Sequence, residues 1–412
     1  MNHRATRRGF LKFAAVAGAG AAFPALVRST ALGRDGRPAA SDRLGCACIG
    51  VGVQGSGDMG GFLGDRGVQV LAVCDVDRRH REAARGRVDG HYRNRDCAAC
   101  VDFREVVTRD DIDVVMIATP DHWHAIISIW AMRNGKDVFC EKPLSLTVRE
   151  GRQMVRTARR YDRVFSCGSQ RVRGDHGRLA DYVACGAIGE IREIYVGCPG
   201  PSRPCPLGGQ PVPDWLDWDM WLGPAPWQPY HAARIASYRA PDSQGQWRDW
   251  VDYSGGGMTD WGAHNFGGAM YAAQLDRTGP VEVVPPDRKD HRYLTYVFAN
   301  GIRMYHGPGM KFIGTAGEAP PMDRSPTRPN PLRQYAHGTN SPISDFLRCV
   351  RTRGRPFRDV EYAHRVATVC HLGNIAYLLK RPLRYDPVSE TIPGDAEADR
   401  LLDRPRREPW RL

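Results

Sequence analysis

The chain has 412 residues, 42% hydrophobic and 25% charged, a globular composition that excludes collagen-like and wholly disordered classes and is long enough for two domains. Its formal charge is +12, yet the basic residues are scattered arginines with no Lys/Arg run interleaved with aromatics, which argues against a nucleic-acid partner.

Residues 1–31 hold five positive charges (Arg4, Arg7, Arg8, Lys12, Arg28) and no acid. Thr6-Arg7-Arg8-Gly9-Phe10-Leu11-Lys12 reads as a twin-arginine signal, followed by a weakly apolar stretch from Phe13 to Val27 and a small-residue cleavage site at Ser29-Thr30-Ala31. The stretch is too short and too rich in Gly and Ala for a stable membrane span. The expectation is a periplasmic or otherwise exported protein carried by the twin-arginine machinery, in a compartment where disulfides persist. The twelve cysteines nevertheless form no framework: Cys46, Cys48, Cys74 and Cys140 sit in apolar runs as small hydrophobes. Cys97-x-x-Cys100 has knuckle spacing but lacks a second pair or a His at zinc-site distance, so no metal is expected.

From residue 42 to 167 the pattern alternates strands and helices. Strands are predicted at Leu44–Ile49, Val68–Cys74, Asp113–Ala118, Asp137–Cys140 and Val164–Ser166, most of them solid apolar runs suited to burial on both faces. Helices include Asp121–Asn134 and Thr147–Tyr161, the second opening with a Thr147-x-x-Glu150 capping box. This alternation predicts an α/β Rossmann domain with a doubly wound parallel sheet. Residues 168–385 change character. Pro199–Pro229 and Glu318–Pro342 read as long surface loops, and Arg192–Val196, Val281–Val284, Tyr293–Phe298 and Ile302–His306 as strands of a mostly antiparallel open sheet in an α+β domain. Helices Pro342–Arg353 and Val360–Leu379 follow and can pack back on the first domain; 386–412 is a C-terminal tail.

Gly50-Val51-Gly52-Val53-Gln54-Gly55 closes the first strand and opens a helix, the context a dinucleotide turn requires. Gly50 makes the turn, Gly52 lets backbone approach a pyrophosphate, and Gly55 allows close helix packing. Asp75, at the end of the second strand, is placed to accept from the ribose hydroxyl and would repel a 2′-phosphate, so NAD is preferred over NADP; Arg78 and Arg79 keep the latter open. Glu141-Lys142-Pro143 lies at another strand end, where Lys142 can donate to a substrate hydroxyl and Glu141 orient it; alone, the pair reads equally as a surface ion pair. Asp260 and His264 are four apart, so one helical face can join a carboxylate to an imidazole that takes a hydroxyl proton. A capping Asp with an unrelated His explains that spacing as well, and a metal pair would lack a third ligand. Thr119-Pro120-Asp121-His122-Trp123-His124 caps a helix through Asp121 and brings Thr119, Pro120 and His124 to the cofactor and substrate. After the last Rossmann strand, Gln170 is read as bonding an amide or sugar hydroxyl and Arg171 as a substrate contact; a purely structural role explains this segment and the Thr119–His124 one equally well.

These residues together resemble the Gfo/Idh/MocA family of oxidoreductases, through the turn at Gly50–Gly55, Thr119-Pro120 with His124, Glu141-Lys142-Pro143 and Asp260-x-x-x-His264. The loop Trp221-Leu222-Gly223-Pro224-Ala225-Pro226 and the closing Glu408-Pro409-Trp410-Arg411-Leu412 look like an exported branch of it. The resemblance implies hydride transfer between a nicotinamide and a sugar, polyol or glycoside carbon, with Lys142, Asp260 and His264 catalytic, and a homodimer or tetramer formed through the open sheet face. One departure is Gly267, where the family often has an acid. Export adds the expectation that the cofactor is non-dissociable and regenerated in place. Two other readings share these residues: an NAD-retaining glycoside hydrolase or lyase working by transient C3 oxidation, and a nucleotide-bound sugar sensor without turnover.

Overall fold

The computed structural model describes residues 38–169, 177–237, 245–287, 289–321, 324 and 341–412. The export segment and the predicted contacts Gln170 and Arg171 lie outside them. Residues 38–43 belong to a separate unit and contain one 3-10 turn, Ala40–Asp42; everything below concerns Leu44–Leu412.

The first sheet has six parallel strands: β1 (Leu44–Ile49), β2 (Val68–Cys74), β3 (Ala98–Cys100), β4 (Val114–Ile117), β5 (Asp137–Cys140) and β6 (Phe165–Cys167). Their order, β3-β2-β1-β4-β5-β6, reverses direction of growth between β1 and β4, which opens a crevice at the strands' carboxyl ends. The connecting helices are α1 (Val53–Leu63), α2 (Arg78–Tyr92), α3 (Phe103–Val107), α4 (Asp121–Arg133) and α5 (Val148–Arg160). Alternate strand residues feed two cores. Ala47, Ile49, Val115, Ile117, Val138 and Cys140 pack toward α4 and α5, whereas Cys46, Cys48, Val114, Met116 and Phe139 pack toward α1 and α2. The predicted capping box is half formed. Thr147 Oγ1 accepts from Glu150 N (3.1 Å), but the Glu150 carboxylate turns to Leu146 N (2.9 Å) and Arg406 (3.2 Å).

The second half begins with α6 (Gly177–Ala184) and builds a seven-stranded sheet from β7 (Ile191–Val196), β8 (Pro280–Val284), β9 (Leu294–Phe298), β10 (Arg303–His306), β11 (Met310–Gly314), β12 (Gly317–Glu318) and β13 (Leu383–Arg384). The order is β12-β11-β7-β10-β9-β8-β13, antiparallel throughout except for the parallel pair β7/β10, so the sheet is mixed. Short helices α7 (Trp218–Leu222), α8 (Ala232–Ile235) and α9 (Gly257–Asp260) precede α10 (Gly262–Ala272); α11 (Pro342–Thr352), α12 (Val360–Leu379) and α13 (Ala396–Arg400) follow. Phe346 of α11 meets Phe62 and Phe139 of the Rossmann core at ring-centroid distances of 6.3 and 5.9 Å. Trp410, near the chain end, sits edge-on to Trp123 at 4.7 Å. The late helix and the C-terminal segment thus complete the first domain's core.

The Pro- and Trp-rich segment predicted as a surface loop encloses a small core of its own. Leu216, Trp218, Trp221, Leu222, Tyr230, Trp250 and Tyr253 are buried together, with Trp218 and Trp221 stacked at 5.0 Å. Proline and glycine break regular structure there, yet the aromatic area is large enough to demand burial.

Candidate active site

The crevice at the β1/β4 reversal is a cavity of about 790 Å³ bounded by Gly50, Gly52, Asp75, Thr119, Pro120, Glu141 and Lys142 among others. Gly50 has φ +75°, and a Cβ there would lie 2.7 Å from the Ala118 carbonyl carbon and the Thr119 nitrogen. At Gly55 a Cβ would stand 1.8 Å from the Gly50 carbonyl oxygen, so α1 closes onto the turn only because that position is bare. No side chain caps α1 at Gly52, and Gly52, Val53 and Gln54 at its start line the cleft, where a helix N-terminus suits an anion. Asp75 follows β2 directly. Its Oδ2 accepts from Val51 N (2.8 Å) and its Oδ1 from Asp77 N (2.9 Å), leaving further lone pairs for a hydroxyl. Burial raises its carboxyl above the ordinary range, against the pull of His80 and these amides. The turn, the bare helix end and the acid fit a dinucleotide.

At the β5 end, Lys142 Nζ donates to Asp260 Oδ1 at 2.5 Å, joining the first sheet to α9 across 118 residues of sequence. Arg248 Nε reaches the same oxygen at 3.2 Å. Burial alone would raise Asp260, but Lys142 and Arg248 outweigh it and hold the carboxyl below its usual value. Lys142 N also donates to Glu141 Oε2 at 3.1 Å, and the Lys142–Pro143 bond is cis. His264, on α10, shares a 3.0 Å hydrogen bond between Nδ1 and Ser169 Oγ. The geometry adds a partner to each member of the predicted Asp260–His264 dyad, Lys142 to Asp260 and Ser169 to His264. Trp261 keeps right-handed helical angles between the two helices, so His264 stays close enough to help lower Asp260, but the direct hydrogen bond to the carboxylate comes from Lys142.

Two family models match the chain. One, described as the oxidoreductase family's NAD-binding Rossmann fold, covers residues 44–169; the other, the same family's C-terminal alpha/beta domain, covers residues 205–412. The chain belongs to the Gfo/Idh/MocA oxidoreductase family. A glycosyl hydrolase family 109 protein of Shewanella pealeana is 36% identical over 172 residues, 37% of each chain. A second of that name from Shewanella sp. strain MR-4 is 38% identical over 115 residues, covering 27% of this chain and 25% of the relative. The matched stretches thus span little more than a third of those relatives. Among solved structures, myo-inositol 2-dehydrogenase from Lactobacillus plantarum superposes with a TM-score of 0.57 at 15% identity, covering 84% of this chain and all of its own. A levoglucosan dehydrogenase in complex with NADH and levoglucosan gives 0.54 at 20% identity, covering 82% and 98%. At those identities the likeness is one of fold.

Within this Gfo/Idh/MocA chain His124 is not a cleft contact. It is 1% exposed, with Nδ1 against Pro143 O (2.7 Å) and Nε2 against Thr119 O (2.9 Å), and burial lowers its pKa to about 4. A neutral ring so held ties the Thr119-Pro120 turn to the segment bearing Lys142, which makes it a positioning residue. His122 Nε2 lies 3.0 Å from Trp221 O and Trp123 Nε1 donates to Met220 O at 3.1 Å, so both brace α7. Asp121 does not cap α4: the helix starts at Asp121 itself, and Ser254 Oγ donates to its Oδ2 at 2.7 Å. The carbonyl of Gly267 accepts from Tyr362 Oη at 2.7 Å. Sequence reasoning missed Ser169, Arg248 and Ser254. Each reaches the site through tertiary contact, and only Ser169, beside the flagged Gln170, carried a local signal.

Proposed function

We propose that this chain is an NAD-dependent oxidoreductase that moves hydride between a firmly retained nicotinamide cofactor and a CH–OH carbon of a sugar, polyol or glycoside. The observation that carries the reading is the Lys142–Asp260 contact, made by a lysine that lines the same cleft as the glycine turn and Asp75. The bound nicotinamide would accept and return the hydride. Gly50, Gly52, Gly55 and Asp75 would hold the dinucleotide, with Thr119, Pro120 and Glu141 lining its path. Lys142, charge-paired with Asp260, donates to the substrate oxygen, and His264, oriented by Ser169, takes the hydroxyl proton.

The name carried by the Shewanella relatives favours a second reading with the same residues, in which oxidation at C3 acidifies the neighbouring C–H, the aglycone oxygen is eliminated and takes a proton, water adds to the resulting unsaturated ketone, and the redox step reverses. Export through the twin-arginine route and association through the open sheet are further proposals that accompany either reading. The test is to purify the protein, look for bound nicotinamide absorbance, and add single sugars and then glycosides. A change in the reduced-cofactor signal supports redox turnover; steady sugar release without net change supports cleavage. Ligand-dependent thermal stabilisation with neither would leave only a sensor. Lys142→Ala is expected to keep nucleotide bound while turnover disappears, and unchanged rates would remove its assigned role.

A further inference from the structure

Three arginines follow β2, one of them on the cleft wall, and each has a partner. Arg78 Nη2 bonds Asp214 at 2.9 Å, and Arg81 Nη1 donates to the Asp75 carbonyl at 2.6 Å. Arg79, which lines the cavity beside Asp75, has contacts on both its edge and its face. Its Nε and Nη2 donate to Asp77 Oδ1 (3.1 Å) and Oδ2 (2.7 Å), while the guanidinium carbon lies 3.3 Å from the centre of the Trp215 ring. Trp215 comes from the aromatic segment of the second half and is itself clamped there. Its carbonyl accepts from Arg78 N (2.8 Å), Asp217 N donates to Val76 O (3.1 Å), and Asp77 and Leu216 form an antiparallel bridge. The other titratable neighbours are His80, 3.7 Å from Asp77 Oδ2 and 3.9 Å from Asp75 Oδ2, and Tyr230.

An arginine at this place is the usual partner of a 2′-phosphate, and a free one would accept either dinucleotide. We propose that Asp77 and Trp215 act as a lock on Arg79 that selects the cofactor: with the guanidinium bound edge-on to Asp77 and face-on to Trp215, the ribose is met by the Asp75 carboxylate rather than by Arg79, so a 2′-hydroxyl is accepted and a 2′-phosphate refused. This inference rests on reading the cleft as a dinucleotide site and adds the residue that sets its preference. Asp77→Asn keeps the helix cap, since asparagine caps as well as aspartate, but discards the charge that holds Arg79.

The experiment is calorimetric titration of nucleotide-free protein with NAD and, separately, NADP. The wild type is expected to bind NAD and to bind NADP far more weakly. Asp77→Asn is expected to raise NADP affinity about tenfold or more, the worth of one released Arg–phosphate contact, with NAD affinity little changed. Adding Arg79→Gln to Asp77→Asn is expected to erase that gain. NADP affinity unmoved by Asp77→Asn would overturn the lock, and so would a gain that survives Arg79→Gln, because repulsion by Asp77 alone would then explain it. If the wild type bound neither dinucleotide, the reading of the cleft would fail first and the lock with it.

Discussion

Replacing Asp121 by asparagine should make folding less sensitive to pH. The side chain is 1% exposed; Oδ2 accepts from Ser254 and Oδ1 has no hydrogen-bond partner among the described residues. Burial raises the carboxyl to about 7 from the ordinary 3.8; the nearby Asp260 carboxylate adds to this while Ser254, Arg248 and Lys142 oppose it. That rise corresponds to about 4 kcal/mol of preference for the neutral acid. Between the two values the folded chain keeps a proton that the unfolded chain has lost. Stability is therefore fully present below pH 3.8, falls as pH climbs toward about 7, and levels off above. Asparagine is nearly isosteric, accepts the same Ser254 bond and does not titrate. Urea unfolding of both proteins from about pH 5 to 8.5 should show the variant gaining on the wild type by roughly 3 kcal/mol. Parallel stability curves would mean that Asp121 ionises normally and that its burial is offset in some way the structure does not show.

Two other perturbations probe the frame of the site. Gly55→Ala drives a methyl into the fixed Gly50 carbonyl at 1.8 Å and should cost about 3 kcal/mol or more, read as a lower melting temperature together with lost nucleotide binding; binding at wild-type strength would show that the turn can shift. Trp410→Ala empties a space between Trp123 and Phe103, whose rings lie 4.7 and 6.1 Å away, and should cost about 3–5 kcal/mol in chemical unfolding. A change below about 1 kcal/mol would mean the C-terminal segment is a detachable tail after all.

How much of this was legible depended on how far each signal is local. β1, β2 and β5 were readable to the residue because strands buried on both faces leave solid apolar runs. β3 escaped because three residues, Ala98–Cys100, carry no period, and their cysteines drew attention to metal spacing instead. β11 to β13 are short or half-exposed, and the parallel β7/β10 pairing depends on a long-range connection that no strand pattern encodes. The glycine turn, Asp75 and Lys142 stood out because each lies at a strand end. His124 misled for the opposite reason: position brought it near the cleft, but its depth turned both nitrogens onto backbone carbonyls.

The contact partners found only in three dimensions also divide the proposed chemistry. Lys142 donates to a carboxylate that Arg248 helps keep anionic, so the pair presents the cleft with a hydrogen-bond donor. Below about pH 7 a neutral Asp121 nearby keeps a second negative charge from competing for those cations. A group that must remove a hydroxyl proton has to come from elsewhere, and the imidazole of His264, fixed on its Nδ1 side by Ser169, is the side chain suited to it. On this division, loss of Lys142 weakens the hold on developing negative charge at every pH, whereas loss of His264 removes the proposed base. The two defects should therefore differ in the shape of the pH–rate profile as well as in size.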